Sequence, residues 1–481
     1  MGKRFLNWLV NIVFIFFIIE LVLGFNGRFL VIGNIPIRQI FFGFAVVGGS
    51  FKLYSVLKNS RFSNELCVSS VDKYKYFINC YFSGFDKMLF LFLMLNLIWV
   101  ILVPFFTSTS IKLSIKEVLC VNVVLLYFPL VILIKLERVN WKQYRSIIKW
   151  SVFSLALIHI IFYIGEKIVG DATFVLNIFK GIQRLTSGHT IRPIVMMPDS
   201  SIRIIYPASI YLILTFYFTV DSKQSIRDNI LTFLGVFALC TTVTKSLFLG
   251  VALGVASYFS MLFYKNIRSK HKLEMSKISK FFVVILLSTI ILNYTVFDNY
   301  IFMRLTNPFA IATKESQEIA QKIIEGSIAT DKNIHDIKEL AGTERSNRTR
   351  LEQIKQLIST WKQKPLLGWG YGSLAGNYLR SDNDTPYSYE MVGVALLMKI
   401  GLIGILIWIM FILYLCRHIL KKLTVRDNAA LKIIYAIVAL GVSTQFNPFL
   451  FNSSGMSILL FCFIEMKNIE LEANKLSADK A

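Results

Sequence analysis

Apolar runs of roughly 17 to 25 residues recur along the chain between polar connectors, each long enough to cross a hydrocarbon core about 30 Å thick as a helix. Twelve are predicted: Phe5 to Gly24, Ile37 to Leu57, Met88 to Phe106, Glu117 to Leu136, Ile147 to Gly165, Ile204 to Val220, Asn229 to Val243, Ser246 to Tyr264, Phe281 to Phe297, Tyr389 to Cys416, Ala429 to Gln445 and Ser453 to Met466. Around Val243 to Ser246, two short helices and one long bent helix would read alike. The fold class implied is all-α, a polytopic membrane helix bundle of about twelve transmembrane helices. Two polar segments are long enough to carry structure: Glu166 to Arg203, about 38 residues, and Asp298 to Ser388, about 90 residues. They divide the chain into a membrane bundle over 1–297, a large helical loop over 298–388, and membrane helices with a tail over 389–481. Within the large loop, Glu315 to Leu340 has helical composition, and RLEQIKQLISTWKQKPLLGWGYGS follows from Arg350.

Composition agrees with a membrane protein: of 481 residues, 55% are hydrophobic and only 17% charged. An even number of spans puts both termini on one side. Placing them in the cytoplasm puts Lys58, Arg61, Lys73, Lys75, Arg138, Lys142 and Arg145 in short cytoplasmic loops, as the retention of basic residues requires. Both long polar segments then face outside. The net charge of +23 matches anionic lipid on the cytoplasmic leaflet, and no basic soluble face suited to nucleic acid is present. The apolar run after Lys3-Arg4 is longer than a signal peptide's and lacks a small-residue cleavage site, which predicts an uncleaved first span. The six cysteines fall in spans or cytoplasmic segments, so no disulfide framework and no paired-cysteine metal site is available. No inverted pair of broken spans, as in many secondary transporters, is visible.

Candidate chemistry concentrates outside. A helix from about Glu344 to Trp361 would turn Leu351, Ile354, Leu357, Ile358 and Trp361 to one face, with Arg350 in the same stripe. Two readings fit that arginine: a snorkelling side chain covering apolar surface, or a fixed cation for phosphate or diphosphate. Arg348 flanks the stripe. Pro365 stops the helix, and Gly368, Gly370 and Gly372 permit positive φ and close backbone approach in a tight re-entry turn. Glu390 opens the tenth predicted span and would share a helical face with Gly393, Gly401 and Gly404. That span measures about 42 Å as a helix, so its first turns would project outside the membrane. Glu390 is then either a general base or an acid stabilised by the helix dipole.

The shorter outside segment offers Arg192 and Arg203 around a Pro-Asp-Ser-Ser turn, and Lys245 stands in the break between the seventh and eighth spans. His159 and Glu20 read as packed polar groups, and Asp382-Asn383-Asp384 as a turn. No zinc-hydrolase or serine-hydrolase motif occurs.

An arginine some fifteen residues before Pro365-Leu-Leu-Gly-Trp-Gly-Tyr-Gly372, then Glu390 ahead of a span containing Gly401-Leu-Ile-Gly404, resembles the C-terminal half of bacterial O-antigen polymerases (Wzy type) and O-antigen ligases (WaaL type). Thr244-Lys245-Ser246 lies where that family often has Ser-Arg-Gly. The resemblance implies a glycosyltransferase of the inner membrane that uses undecaprenyl-diphosphate-linked oligosaccharide as donor and acceptor at the periplasmic face, without nucleotide sugar, cofactor or metal. It implies diphosphate binding by Arg350, with Arg348, Arg192, Arg203 and Lys245 as further candidates, and proton removal from the acceptor hydroxyl by a base, for which Glu390 is the candidate. A chain-length regulator is a possible protein partner. Ligases usually have a histidine where this chain has Glu390, which leans towards a polymerase. A ligase acting on lipid A core and a lipid-linked oligosaccharide flippase are the alternatives. A flippase should line several spans with charge at mid-membrane, whereas here the ionisable residues lie mainly near span ends.

Overall fold

A computed structural model describes residues 2–24, 31–32, 35–59, 81–135, 139–169, 177–178, 194–196, 202–204, 207–220, 225–269, 275–297, 301–302, 334–376, 378, 386–422 and 428–478. Helices dominate: α1 (Gly2–Leu23), α2 (Ile37–Asn59), α3 (Gly84–Leu97), α4 (Val103–Thr107), α5 (Ile111–Val118), α6 (Asn122–Leu125), α7 (Tyr127–Lys135), α8 (Trp141–Val169), α9 (Ile213–Thr219), α10 (Ile226–Thr242), α11 (Lys245–Ser269), α12 (Met275–Thr295), α13 (Ile334–Gln363), α14 (Val392–Lys422), α15 (Ala429–Gln445) and α16 (Ser453–Ala478). Two short antiparallel hairpins join Val31–Ile32 to Ile35–Pro36 and Ile194–Met196 to Ile202–Ile204.

Each predicted apolar run coincides with helix, but not each is a simple span. Among the described residues, four helices are long and apolar enough to cross a membrane: Gly84–Thr107, Trp141–Val169, Lys245–Ile267 and Val392–Lys421. The fourth predicted run is two pieces, Ile111–Val121 and Val123–Lys135, bent by 44°. The sixth begins as a 3₁₀ helix, Pro207–Leu212, before α9. The seventh and eighth are two helices and not one bent helix, because Val243 adopts a left-handed conformation with φ 44°. Most of the segment Glu315 to Leu340 lies outside the described residues.

Glycine permits a close helix contact. In α11, Gly250 and Gly254 form a small-xxx-small face against Tyr435, Ala439 and Ser443 of α15. The pair runs antiparallel, since Lys265 bonds Asn428 at the other end. A Cβ on Gly250 would sit 2.5 Å from the Ala439 carbonyl oxygen. Gly250→Ala should therefore force the helices apart and cost roughly 1–3 kcal/mol, read as a lower melting temperature in detergent.

That antiparallel packing defines the two ends of the bundle. One end holds the α10–α11 break, the α15 C-terminus and the α14 N-terminus, where a Cβ on Gly393 would lie 3.1 Å from Gln445 Oε1. Glu20 also lies towards it: Arg38 donates to Glu20 at 2.6 Å and to Ser453, the first residue of α16. The other end is closed by buried charge. Lys467 pairs with Asp86 at 2.7 Å, and Glu465 accepts from Trp141 at 2.6 Å and Tyr217 at 2.9 Å.

Candidate functional site

The site is built around a membrane helix that is broken and then completed by another segment. Within α14, Gly401 has φ 63° and ψ −172°, which is not helical. A break in a span exposes backbone groups that lipid cannot satisfy. Here the loop after α13 satisfies them. Leu402 and Ile403 donate their amides to the carbonyls of Pro365 and Leu366, both at 3.0 Å. The carbonyls of Met398 and Lys399 accept from the amides of Trp369 at 3.1 Å and Gly370 at 2.8 Å.

The loop lies in a slot whose other wall is equally irregular. A π-helical turn at Ile98–Leu102 interrupts the span between α3 and α4, and the Trp99 carbonyl accepts from the Tyr371 amide at 3.0 Å. Pro104 has no amide to offer the Val100 carbonyl four residues earlier, and Ser114 Oγ fills that place at 2.8 Å. Gly368, Gly370 and Gly372 have φ of 70°, 86° and 75°. A Cβ on each would strike the Lys399 carbonyl, the Pro104 ring or the Ser114 backbone amide, within 2.4 to 2.6 Å. The expected tight turn is present, and the glycines serve both close approach and left-handed backbone.

On top of this slot α13 lies against the start of α14. Arg350 Nε donates to Glu390 Oε2 at 2.9 Å, with side chains 35% and 25% exposed. Gln353, three residues on, accepts from the amides of Glu390 at 3.1 Å and Met391 at 3.3 Å, and so caps the first turn of α14. The buried face of α13 is centred on Gln353, Leu357 and Thr360, whereas Leu351, assigned to that face from its spacing, is 59% exposed. Glu390 precedes α14, so it does not share a helical face with Gly401 and Gly404 as expected; the helix starts at Val392 and breaks at Gly401. The acid is held at a bend just before the helix, where Gln353 takes over the free amides.

Beneath Glu390 lies an ion pair that spacing did not reveal. Lys399, 4% exposed, donates to Glu117 and to the Tyr387 carbonyl at 2.8 Å. The second oxygen of Glu117 accepts from the Gly372 amide at 2.6 Å. Tyr389 OH accepts from the Ala375 amide at 2.7 Å; burial pushes its phenol up to about 12, so it stays neutral at ordinary pH. Lys399 is an ionisable residue inside an apolar run, a signal of a functional or paired group. Its partner could not be found by periodicity, because Glu117 lies 282 residues away.

The other candidates are placed as follows. Arg203 bonds the Thr242 carbonyl at 2.8 Å and Thr244 Oγ1 at 3.2 Å, laying its charge at the C-terminus of α10. Lys245 begins α11 beside it, and Ser246 accepts from Asn447 at 2.7 Å. Arg348 is an exposed residue of α13. Arg192, the Pro-Asp-Ser-Ser turn and Asp382-Asn383-Asp384 lie outside the described residues. His159 sits between Thr241 and Ser209 at 3.3 Å from each, a packed polar group, as is Glu20.

A family model described as O-Antigen ligase matches residues 230–409. Over that segment, somewhat more than a third of the chain, the sequence is similar to the O-antigen polymerases and ligases. No curated protein and no solved structure matches it. The matched segment runs from α10 into α14 and contains Lys245, Arg350, the three glycines, Glu390 and Gly401. Arg203, Glu117 and the π-turn lie before it, so the wall that receives the glycine loop comes from outside the family segment. The match and the apolar helices support a membrane protein with an O-antigen ligase or polymerase type of function, and do not separate the two activities.

Proposed function

We propose that the protein is a surface-polysaccharide polymerase, joining undecaprenyl-diphosphate-linked oligosaccharide repeat units at the periplasmic face of the inner membrane, with both termini in the cytoplasm. The half-exposed pair of Arg350 and Glu390, lying within the family segment, carries this reading. A guanidinium that rests on a carboxylate can exchange it for a diphosphate, which presents more charge in a geometry suited to the planar fork. Exchange frees Glu390 beside the bound donor. The acceptor hydroxyl oxygen then attacks the anomeric carbon as its proton passes to Glu390. The bond from that carbon to the diphosphate oxygen breaks, and undecaprenyl diphosphate leaves with its charge against Arg350.

Arg348, Arg203, Arg192 and Lys245 are the further phosphate contacts of this scheme. Arg203 already spends two donors on the α10 terminus, so its part is that of a fixed local charge. Membrane lipid holds the carrier tail, and a chain-length regulator is a candidate partner; no cofactor is required. The ligase reading, transfer to lipid A core, uses the same parts and is favoured by the family description, while an acid in place of histidine at 390 favours polymerisation.

The test is a gel of surface polysaccharide from cells carrying Arg350→Ala or Glu390→Gln at wild-type protein level. Each should lower polymer output about a hundredfold, the usual effect of losing one charge-stabilising donor or one general base. Full-length polymer from either variant would remove that residue from the mechanism. Single repeats on the lipid core in a deletion strain would support the polymerase. Polymer stranded on the carrier would support the ligase, and repeat units trapped inside would support a flippase.

A further inference from the structure

We infer that Lys399, backed by Glu117, is a positioning residue that holds Glu390 against Arg350, an inference that rests on the roles of Arg350 and Glu390 proposed above. Among the described residues, at least three contacts hold the segment entering α14. Lys399 grips the Tyr387 carbonyl, Tyr389 receives the Ala375 amide, and Gln353 takes the Glu390 and Met391 amides. Of these, the first reaches up from inside the bundle. Its nitrogen also lies 5.4 Å from the Tyr389 ring centroid and 6.0 Å from that of Tyr387, so one cation touches two residues of the approach.

A buried ion pair is a poor device for stability alone, since matched apolar residues commonly do as well. What apolar residues could not do is hold a carbonyl of the acid-bearing segment and an amide of the glycine loop at once. Lys399 and Glu117 do both, because Glu117 binds the Gly372 amide. Lys399 also stands two residues before the Gly401 break, and its own carbonyl accepts from Gly370. The pair thus joins α5, the glycine loop, the broken helix and the Tyr387–Glu390 approach in one unit, and the position of the acid follows from it.

The experiment compares Glu117→Gln with Lys399→Met/Glu117→Gln: in both a glutamine carbonyl can still accept from Gly372, and the second also loses the lysine's grip on the Tyr387 carbonyl and its contacts with the Tyr387 and Tyr389 rings. With the six native cysteines replaced, Arg350→Cys and Glu390→Cys are introduced, and the yield of a short thiol cross-link is measured in membranes. The Glu117→Gln background, where Lys399 keeps the Tyr387 carbonyl, should cross-link several-fold more than the double background, in protein of equal abundance. Equal yields in the two backgrounds would overturn the inference. Should the double variant accumulate poorly, Lys399→Leu/Glu117→Gln replaces it under the same two outcomes. In parallel, without the added cysteines, polymer output per amount of protein should be lower in the double variant than in Glu117→Gln; equal output from both would likewise overturn the inference. Cross-linking requires no activity, so a failure of the polymerase reading appears in Arg350→Ala alone and leaves the positional result standing.

Discussion

Gly401→Ala should leave little folded protein in the membrane. At φ 63° and ψ −172° the residue occupies backbone space that is essentially glycine's own, and forcing a side chain there costs about 1–3 kcal/mol. The added Cβ would also lie 2.3 Å from the Leu366 carbonyl oxygen and 2.6 Å from the Gly368 amide nitrogen. Relief requires the glycine loop to withdraw, which unmakes the amide–carbonyl exchange between 365–370 and 398–403. Each buried group so orphaned costs about 1–3 kcal/mol, so the total is expected to exceed about 4 kcal/mol, a large share of the stability of an ordinary domain. Abundance in membranes and melting in detergent measure it. Gly441→Ala is the control: it lies in α15 with nothing within 4 Å of an added Cβ, and should be neutral or slightly stabilising. Equal behaviour of the two variants would disprove the account of the broken helix.

Lys399→Met should be nearly as damaging, for an electrostatic reason. It leaves Glu117 as a buried carboxylate without its cation, and breaking a buried pair from one side costs about 3–5 kcal/mol. Adding Glu117→Gln removes the stranded charge. The double variant then lacks chiefly the hydrogen bond on the Tyr387 carbonyl, a loss of about 1–3 kcal/mol. Melting temperatures in the order wild type, double, Lys399→Met are therefore expected. A double variant no more stable than Lys399→Met would mean that the pair is not what holds these segments together.

Both predictions concern residues whose importance is only partly legible in the sequence. Spacing puts Gly401 on a helical face, which the structure contradicts: the residue is where the helix stops being one. Lys399 sat in an apolar run with no partner in view. By contrast, Arg350, the three loop glycines and Glu390 could all be singled out from residue type and spacing, and two of them, Arg350 and Glu390, meet as an ion pair. Spacing misjudged the environment more than the identity. It counted Leu351 into the buried face of α13 and passed over Gln353, because hydropathy cannot see that two free amides at the start of α14 need an acceptor.

The division has a simple physical origin. Hydropathy and helical period are local properties, and an uninterrupted apolar run must be helical in lipid whatever its neighbours are. The sequence therefore determined an all-α membrane protein, the approximate limits of its helices, and a polar segment ending in an arginine helix and a glycine turn. Irregular backbone inside a membrane is permitted only where a distant segment completes its hydrogen bonds. The break at Gly401, the π-turn at Ile98–Leu102, the loop that satisfies both, and the Lys399–Glu117 pair beneath Glu390 are decided together by contacts across hundreds of residues. Only the tertiary structure could show them.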